Sequence, residues 1–351
     1  MVGLNFDFGK CWADDRFGPG VRARPAAVPI LLCMASLDTL ATDYRTITEA
    51  CGLLDRSERG KLALTGGDAR SFLQGQVTND VEGLADGAGC YAAFLTPKGK
   101  MLGDLRILAA GDELLLDTER VALQGLFNMI RRFSIGYDVG LHKRTLERGL
   151  LSLVGPDAGV VAGADSLPPA EHAHALVSVP GSGVVARAIR TDMGVDLLCS
   201  AEDGDALRAA LEDAGARGVS DEAVECLRVE RGRPRYGIDL DDSVIPQEAG
   251  LNQRAVSFTK GCYVGQETVA RLYYRGKPNR QLRGLRLSAP ASPGDELSFD
   301  GRVVGRVASV AQSPRFGAIG LALVRREAPP GSTVAVADGG DVVGEITELP
   351  F

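Results

Sequence analysis

The chain has 351 residues, 45% of them hydrophobic and 24% charged, and it carries a formal net charge of −7. This length suffices for two or three domains with a sizeable core, and the composition is that of an ordinary globular protein. The acidic balance argues against a general nucleic-acid binder, and no apolar run approaches the roughly 20 residues that span a membrane. Seven cysteines without a C-x-x-C pair indicate free thiols, so we expect a reducing, cytoplasmic location.

The first 33 residues differ in composition from the rest. They mix Gly, Pro, Arg and Asp without a sustained hydrophobic period, and acidic residues are interspersed among the arginines. This acidity argues against a transit peptide. We expect residues 1–33 to be a disordered extension, or the result of an upstream start codon, with Met34 as the natural first residue.

Residues 52–200 carry many of the predicted strands. Short alternating or apolar runs bounded by Gly and Pro predict them, and two form a hairpin around residues 96–100. They lie at residues 61–65, 90–95, 101–108, 114–116, 150–155, 184–189 and 195–198. Two helices are predicted between them, one over residues 69–75 capped by Asp68 and one that runs from a Thr118 cap to Phe133.

Asp104 stands out among these elements. It lies in the strand predicted over residues 101–108, within an otherwise apolar run. A carboxylate in a strand that is buried needs a partner or a ligand.

Two histidines lie in a stretch rich in Gly, Ala and Pro over residues 155–182. They are His172 and His174, and no third candidate metal ligand lies near them in the sequence. We therefore predict a surface loop here rather than a metal site.

A helix is predicted over residues 221–231, with Ser220 as its cap and Gly232 and Pro234 after its end. Arg228 and Glu230 are two positions apart, so they point to different faces and cannot form a simple i,i+4 pair. Solvated charges and a functional pair both remain open for them.

The segment K-G-C-Y-V-G-Q-E at residues 260–267 places Cys262 between two glycines and directly before a helix predicted over residues 266–272. The unpaired N–H groups of the first helical turn and the charge of Lys260 would both favour the Cys262 thiolate. The alternative is a small buried cysteine in a tight turn.

After residue 281 the pattern changes to short alternating strands with Gly/Pro turns, which predicts a small antiparallel β-barrel. Pattern alone therefore indicates an α+β protein with a β-rich C-terminal domain. It does not specify a reaction.

The string from Lys260 to Thr268 resembles the signature of the folate-binding YgfZ family, which is implicated in iron–sulfur cluster maintenance and tRNA modification. That family is related to the aminomethyltransferase, or T-protein, of the glycine cleavage system. Residues 52–81 and 227–239 are also similar to T-protein segments, namely G-L-x-D-x-S, G-x-D-A-x-x-F-L-Q, T-N-D-V, L-R-x-E-x-G and Y-G-x-D. The resemblance implies a T-protein-like ring, with two interleaved α/β subdomains over residues 34–280 and a barrel over residues 281–351.

The same resemblance implies a central channel that binds tetrahydrofolate or a derivative, with Asp104 on the pterin N–H groups and Cys262 near the mouth as functional thiol. Arg228 or a basic residue of the central motif would hold the folate carboxylates. The remaining expected site residues are Glu230, Lys260, Tyr263, Gln266, Glu267 and Arg271, and no metal is expected. Two departures from T-proteins count against transfer chemistry: Gly103 replaces an aspartate, and the connection at residues 190–194 lacks a glutamate.

Residues 254–286 carry eight basic residues against one acid, Glu267. This excess could hold the glutamate tail of a folate, a phosphate or RNA, and Tyr273 and Tyr274 could stack on a flat ring. The alternative is a solvated basic edge.

The leading hypothesis is a monomeric, tetrahydrofolate-binding accessory protein for the assembly or repair of iron–sulfur enzymes, including tRNA-modifying ones. A stable cluster held by this chain alone is not expected, because such clusters usually take about four cysteines. One alternative is a tetrahydrofolate-dependent aminomethyl- or methyltransferase. Another is an RNA- or protein-binding adaptor that uses residues 254–286.

Overall fold

The computed structural model describes residues 30–337 and 341–351, with side chains from residue 38 onward. One compact unit spans residues 38–351. The extension expected over residues 1–33, with its alternative start at Met34, falls outside the residues whose side chains are described. Within the described part of the chain, no helix is long and apolar enough to cross a membrane.

The first layer is a five-stranded antiparallel sheet with the strand order β3-β4-β5-β2-β6. Its core is formed by large side chains such as Phe72, Phe94 and Leu126, which bring α2 and α3 onto the sheet. The elements are β2 (Gly60–Thr65), α2 (Ala69–Gln76), β3 (Gly89–Leu95), β4 (Met101–Ala110), β5 (Glu113–Thr118), α3 (Arg120–Phe133) and β6 (Gly140–Lys143).

The second layer is a six-stranded sheet with the order β11-β1-β7-β10-β9-β8. Ser152 separates Leu151 from Leu153 in β7, and Asp196 separates Val195 from Leu197 in β10, so each apolar pair lies on one face, which packs against α4 and α5. The elements are β1 (Gly52–Asp55), β7 (Arg148–Val154), α4 (Ala158–Ala162), β8 (His174–Ser178), β9 (Val185–Arg190), β10 (Gly194–Ser200), α5 (Gly204–Asp213) and β11 (Arg217–Gly218), with a 3₁₀ turn at Ala201–Asp203.

The remaining elements are four helices and a closed six-stranded barrel. Closure leaves the barrel without an exposed sheet edge. The helices are α1 (Ile30–Glu49), α6 (Asp221–Glu230), α7 (Asn252–Ala255) and α8 (Gln266–Arg275). The barrel strands are β12 (Arg280–Leu287), β13 (Glu296–Phe299), β14 (Arg302–Ser313), β15 (Gly317–Arg325), β16 (Thr333–Val336) and β17 (Val343–Thr347). The predicted α+β class with a C-terminal barrel is confirmed.

Two of the three expected helix caps hold their positions: Asp68 is the N-cap of α2 and Ser220 is the N-cap of α6, although neither side chain makes a cap hydrogen bond to its helix. The Asp68 carboxylate instead accepts from the backbone N–H of Asp138, at 2.8 Å. Thr118 ends β5 and donates its hydroxyl to the backbone carbonyl of Asp104, so Glu119 takes the N-cap position of α3.

The prediction of a surface loop around the two histidines was wrong. His172 and His174 are both buried, with 8% and 3% of their surfaces exposed, and His174 is the first residue of β8. The surrounding Gly/Pro-rich sequence resembles a loop, but it folds back so that the His174 N–H donates to the Gly87 carbonyl at 2.8 Å. In the described residues no group of three or more His, Cys, Asp or Glu could hold a metal ion.

Candidate ligand-binding site

Side chains from both sheets line a cavity of about 160 Å³, hereafter the Asp104 cavity. Strands β4 and β5 contribute from the first sheet, and β7 and β10 contribute from the second. The polar lining residues are Arg56, Arg59, Tyr91, Asp104, Arg106, Asp117, Ser152, Glu171, His172, Thr191, Asp192, Asp196 and Arg254. The site is therefore small, polar and densely charged.

Asp104 is 5% exposed, and its Oδ2 accepts a hydrogen bond of 2.6 Å from the Tyr91 hydroxyl. Burial raises the pKa of Asp104 to about 6, although the Tyr91 hydrogen bond opposes this shift. Burial, reinforced by the charge of Asp104, also raises the pKa of Tyr91 well above its ordinary value. Near neutral pH this carboxyl is therefore an acceptor that can also take up a proton.

An ion-pair network fixes the wall beside Asp104. Arg106 of β4 binds Asp117 at 2.8 Å and Asp196 at 2.7 Å, which joins the first sheet to the second. Arg59 binds Asp117 at 2.8 Å and also pairs with Glu119. Although burial opposes ionisation, Arg59 and Arg106 lower the pKa of Asp117 to about 2. These carboxylates are paired with arginines, whereas Asp104 has no ion-pair partner in the part of the chain that the structure describes.

A second pair closes another side of the cavity. Arg254 pairs with Glu171, and its guanidinium lies 5.0 Å from the centre of the Tyr91 ring. This contact holds the ring that donates to Asp104.

The side chains of two cavity residues make no hydrogen bond within the described part of the chain. Arg56 has no ion-pair partner there, and burial, followed by the nearby charge of Arg59, lowers the pKa of its guanidinium. Both ring nitrogens of His172 are buried without a hydrogen bond.

A wider cavity of about 600 Å³, hereafter the Tyr44 cavity, adjoins the first through Thr191, Asp192 and Met193, which line both. The Tyr44 hydroxyl donates to Glu230 at 2.9 Å inside it. Arg315 lies at its exposed edge and has no ion-pair partner among the residues described. The two cavities are therefore neighbours, with Asp104 in the first and Arg315 at the edge of the second.

The structure brings Asp104 and Glu230 to this space but not Arg228. The Arg228 guanidinium donates to Asp239 at 2.8 Å, to Ser309 at 2.6 Å and to Glu225 at 2.9 Å. These bonds tie α6 to the barrel and leave no free edge for a ligand carboxylate. The sequence left a functional pair open for Arg228 and Glu230, and burial at 7% and 6% exposure excludes the solvated alternative.

Cys262 is exposed, which excludes the buried-turn alternative, and it is not among the residues that line either cavity. Gly265 adopts φ 85° at the N-cap of α8, as the expected turn into the helix requires. The Lys260 ammonium donates to three carbonyls, those of Gln74, Val77 and Asn79, at 2.6, 2.8 and 2.7 Å. Lys260 therefore holds the loop against residues 74–79, and its hydrogen bonds go to these carbonyls rather than to the Cys262 thiol.

The other motif residues lie outside the two cavities. Tyr263 is buried at 7% exposure, with the Lys260 ammonium 5.2 Å from its ring centre. Gln266 is half-buried, and Glu267 and Arg271 are exposed on α8. The motif thus forms a surface feature of its own.

Much of the basic stretch at residues 254–286 is neutralised. Arg254, Arg280 and Arg283 form ion pairs with Glu171, Glu248 and Glu348, and Lys260 is held by carbonyls. The exposed cations without an ion-pair partner in the described regions are Arg271, Arg275, Lys277 and Arg286, and the Arg286 guanidinium lies over the rings of Phe316 and Phe351. Tyr273 stacks on Phe258 with ring centres 3.8 Å apart, and Tyr274 is 68% exposed.

Sequence reasoning missed most of the cavity. Tyr91, Arg106 and Asp196 are polar residues inside otherwise apolar strands, the same signal that identified Asp104. Arg56 and His172 lie in segments without a strong period, and no local pattern marks them.

The fold is of the T-protein class. The structure aligns with the glycine cleavage system aminomethyltransferase T from Bartonella henselae with a TM-score of 0.78 and 22% identity, covering 89% of each chain. A family model described as the GCVT N-terminal domain matches residues 29–260, and one described as the glycine cleavage T-protein C-terminal barrel domain matches residues 280–351. The chain belongs to the GCVT family.

Two curated relatives illustrate the similarity. A putative chloroplastic transferase of Arabidopsis thaliana is 30% identical, covering 85% of this chain and 71% of the relative. An aminomethyltransferase of Rubrobacter xylanophilus is also 30% identical, covering 89% of this chain and 86% of the relative.

Proposed function

We propose that this chain binds tetrahydrofolate, or a derivative, in the Asp104 and Tyr44 cavities. The observation that carries the proposal is the buried Asp104 carboxyl, which faces a cavity and has Tyr91 rather than an arginine as its side-chain partner. Only its Oδ2 accepts a hydrogen bond from a described side chain, so Oδ1 is available to a donor from a ligand. Membership of the GCVT family and the similarity to aminomethyltransferases support the choice of a folate.

The residues fit the two ends of a folate. A pteridine edge presents N–H donors, for which the Asp104 carboxylate is a suitable acceptor. The tail presents carboxylates, and Arg315 at the edge of the Tyr44 cavity is a cation with no competing ion pair in the described chain. The combined space falls in the range of about 300–1,000 Å³ that is usual for ligand sites. A bound folate supplies one-carbon chemistry, and Asp104 and Tyr91 would orient its ring and hold a proton beside it.

At the finer level we propose a YgfZ-type accessory protein for iron–sulfur enzymes, with Cys262 as the functional thiol. Two features support this choice over a transferase. The K-G-C-Y-x-G-Q-E segment presents an exposed thiol. At Gly103, a Cβ would lie 2.6 Å from Phe94 Cε1 and 2.7 Å from the Ala122 Cβ, so no second carboxylate can occupy this position without repacking.

Calorimetric titration with tetrahydrofolate tests the folate site. We expect Asp104→Ala to weaken binding by about 10-fold or more, because one charge-assisted hydrogen bond is worth roughly 1.5–3 kcal/mol. Cys262→Ala should bind like the wild type, since Cys262 lies outside the cavities. Absence of tetrahydrofolate binding by the wild type would contradict the proposed folate site.

A tetrahydrofolate-dependent aminomethyl- or methyltransferase is the second candidate, favoured by the presence of Asp104 in the cavity and by the aminomethyltransferase relatives. Formation of methylene-tetrahydrofolate from an aminomethyl donor would establish it. Turnover that Asp104→Asn abolishes and Cys262→Ala retains would overturn the accessory role.

Binding of tRNA to the exposed cations of α8 is the remaining candidate interaction. Charge reversal at Arg271 and Arg275 should abolish a salt-dependent association. Charge reversal at the exposed barrel residues Arg302 and Arg326 is the matched control, because it changes the net charge equally. If both double variants lose tRNA binding equally, the effect comes from the change in net charge and not from α8.

A further inference from the structure

His172 lines the Asp104 cavity, but the proposed function gives it no role so far. The side chain is buried, and neither Nδ1 nor Nε2 has a hydrogen-bond partner within the described residues. The Oε1 atom of Glu171 lies 3.6 Å from Nε2, beyond hydrogen-bond reach. A buried polar group left in this condition destabilises the fold, so a cavity beside it indicates a ligand contact.

The backbone holds this ring firmly in place. His172 has φ 70°, a region that residues other than glycine rarely occupy and that persists only where the surroundings enforce it. Its N–H donates to the Arg190 carbonyl at 2.9 Å, and the preceding Glu171 is fixed by Arg254. On the other side, a Cβ placed on Gly89 would lie 2.9 Å from the His172 Cβ. The ring is therefore positioned before any ligand binds.

The imidazole is uncharged near neutral pH. Burial lowers the pKa of His172 to about 4; Arg106 and Arg254 act in the same direction, and Glu171 and Asp196 oppose it. A neutral imidazole offers one N–H donor and one acceptor. A pteridine ring carries both donors and acceptors and can pair with either nitrogen, whereas an ionised carboxylate tail can only accept.

We propose that His172 is a specificity-determining residue of this cavity, and that one of its ring nitrogens hydrogen-bonds the heteroaromatic ring of the bound folate. The inference rests on the proposed folate site and assigns His172 to the ring end of the ligand. Asp104 alone selects for N–H donors. His172 adds a hydrogen bond to a second polar atom of the ligand, which favours a ring that carries several such atoms, as a pteridine does.

Calorimetry at pH 7 with two His172 variants tests the contact. His172→Leu should weaken tetrahydrofolate binding roughly 3- to 10-fold, the effect expected from losing one net hydrogen bond, and should not lower the thermal midpoint. His172→Gln, which keeps a donor and an acceptor, should recover part of the affinity. His174→Gln is the matched control: His174 is also buried, but it is bonded to the Ala88 carbonyl at 3.2 Å and to Arg187 at 2.9 Å. It should change stability and leave the affinity unchanged.

Tetrahydropterin, the ring without its tail, separates the two ends of the ligand. His172→Leu should weaken tetrahydropterin binding by the same factor as tetrahydrofolate binding. A loss confined to tetrahydrofolate would overturn the assignment to the ring.

Nitrogen chemical shifts provide a direct readout, because the chain has only three histidines. Addition of tetrahydrofolate should shift the ring ¹⁵N signals that disappear in His172→Leu. If the wild type binds while these signals and the variant's affinity stay unchanged, the inference fails and the folate site stands. If the wild type does not bind, both fail.

Discussion

At the scale of single residues, Asp104 and Asp117 show how the partners of a buried carboxyl set its pKa and its availability. Asp117, also buried in the cavity wall, is paired with two arginines, and its pKa is lowered to about 2. Asp104 has a tyrosine partner, and burial raises its pKa to about 6. The two carboxyls lie on neighbouring strands, and their partners alone decide which of them is available to a ligand.

Asp104→Asn should stabilise the protein above pH 6. In the unfolded chain the carboxyl ionises near pH 3.8, whereas in the folded protein it ionises near pH 6. Stability is therefore lost as the pH rises from about 4 to 6, and an amide that mimics the protonated acid avoids this loss. We expect a difference of about 1–3 kcal/mol above pH 6 and none below pH 4.

Urea unfolding of both proteins between pH 4 and pH 8 measures this difference. A pH-independent difference would contradict the raised pKa. If Asp104→Asn also loses folate affinity, Asp104 contributes to binding although it destabilises the folded protein.

Cys262 should be the fastest to be alkylated among the cysteines whose side chains are described. Burial raises the pKa of Cys51 to about 11 and that of Cys90 and Cys226 to about 12, and it also raises the pKa of Cys199. Cys262 is exposed. Timed iodoacetamide labelling with peptide mass spectrometry should find Cys262 modified first. Its rate-versus-pH profile tests whether the helix start favours the thiolate, and a profile like that of a free peptide cysteine would rule out that effect.

At the scale of elements, the turn at residues 96–100 supports the Cys262 loop. Gly265 begins α8 with φ 85°, and a Cβ there would lie 2.6 Å from the Thr96 carbonyl oxygen. The hairpin that joins β3 and β4 thus contacts the motif directly, and β4 is also the strand that carries Asp104. The Asp104 cavity and the exposed Cys262 thiol are therefore separate sites that the same β3–β4 hairpin contacts.

Gly265→Ala should destabilise the protein by about 1–3 kcal/mol, because the added methyl group meets both the left-handed conformation and the Thr96 carbonyl. Gly261→Ala is the matched control, since a Cβ there has no atom within 4 Å. Thermal unfolding of the two variants measures the difference. Equal midpoints would show that the loop does not depend on this close contact.

At the scale of the whole molecule, buried arginines join the parts. Arg106 links the two sheets through Asp117 and Asp196, and Arg228 links α6 to the barrel through Ser309. The C-terminal residue adds a further contact, because the Phe351 N–H donates to the Glu230 carbonyl at 2.9 Å. The cavities depend on this assembly, since no single layer supplies all of their walls.

Arg228→Met should lower the free energy of unfolding by roughly 3–5 kcal/mol, because the Asp239 carboxylate would remain buried without its partner. Tetrahydrofolate affinity at a temperature where the variant is folded should stay unchanged. Arg217→Met, at an exposed position of β11, is the control for loss of one positive charge. Weakened binding with unchanged stability would restore Arg228 to the role of a ligand-holding residue.

The sequence by itself determined the α+β class, most of the strands up to residue 200 and the barrel, and it singled out Asp104 as a polar residue in an apolar strand. Strand alternation, Gly/Pro turns and an isolated carboxylate in an apolar run are local signals, and they depend only on neighbouring residues. Local pattern also located the turn at Gly265, because the left-handed conformation there requires glycine.

Only the tertiary structure decided which charged groups are free. Arg228 and Lys260 look available in the sequence, yet distant residues satisfy their donors. His172 looks like part of a loop, yet it is buried beside Asp104, and Arg56 reaches the same cavity from another segment. Whether a polar side chain binds a ligand or another residue depends on partners far away in the chain, and packing of the two sheets and the barrel determines those partners.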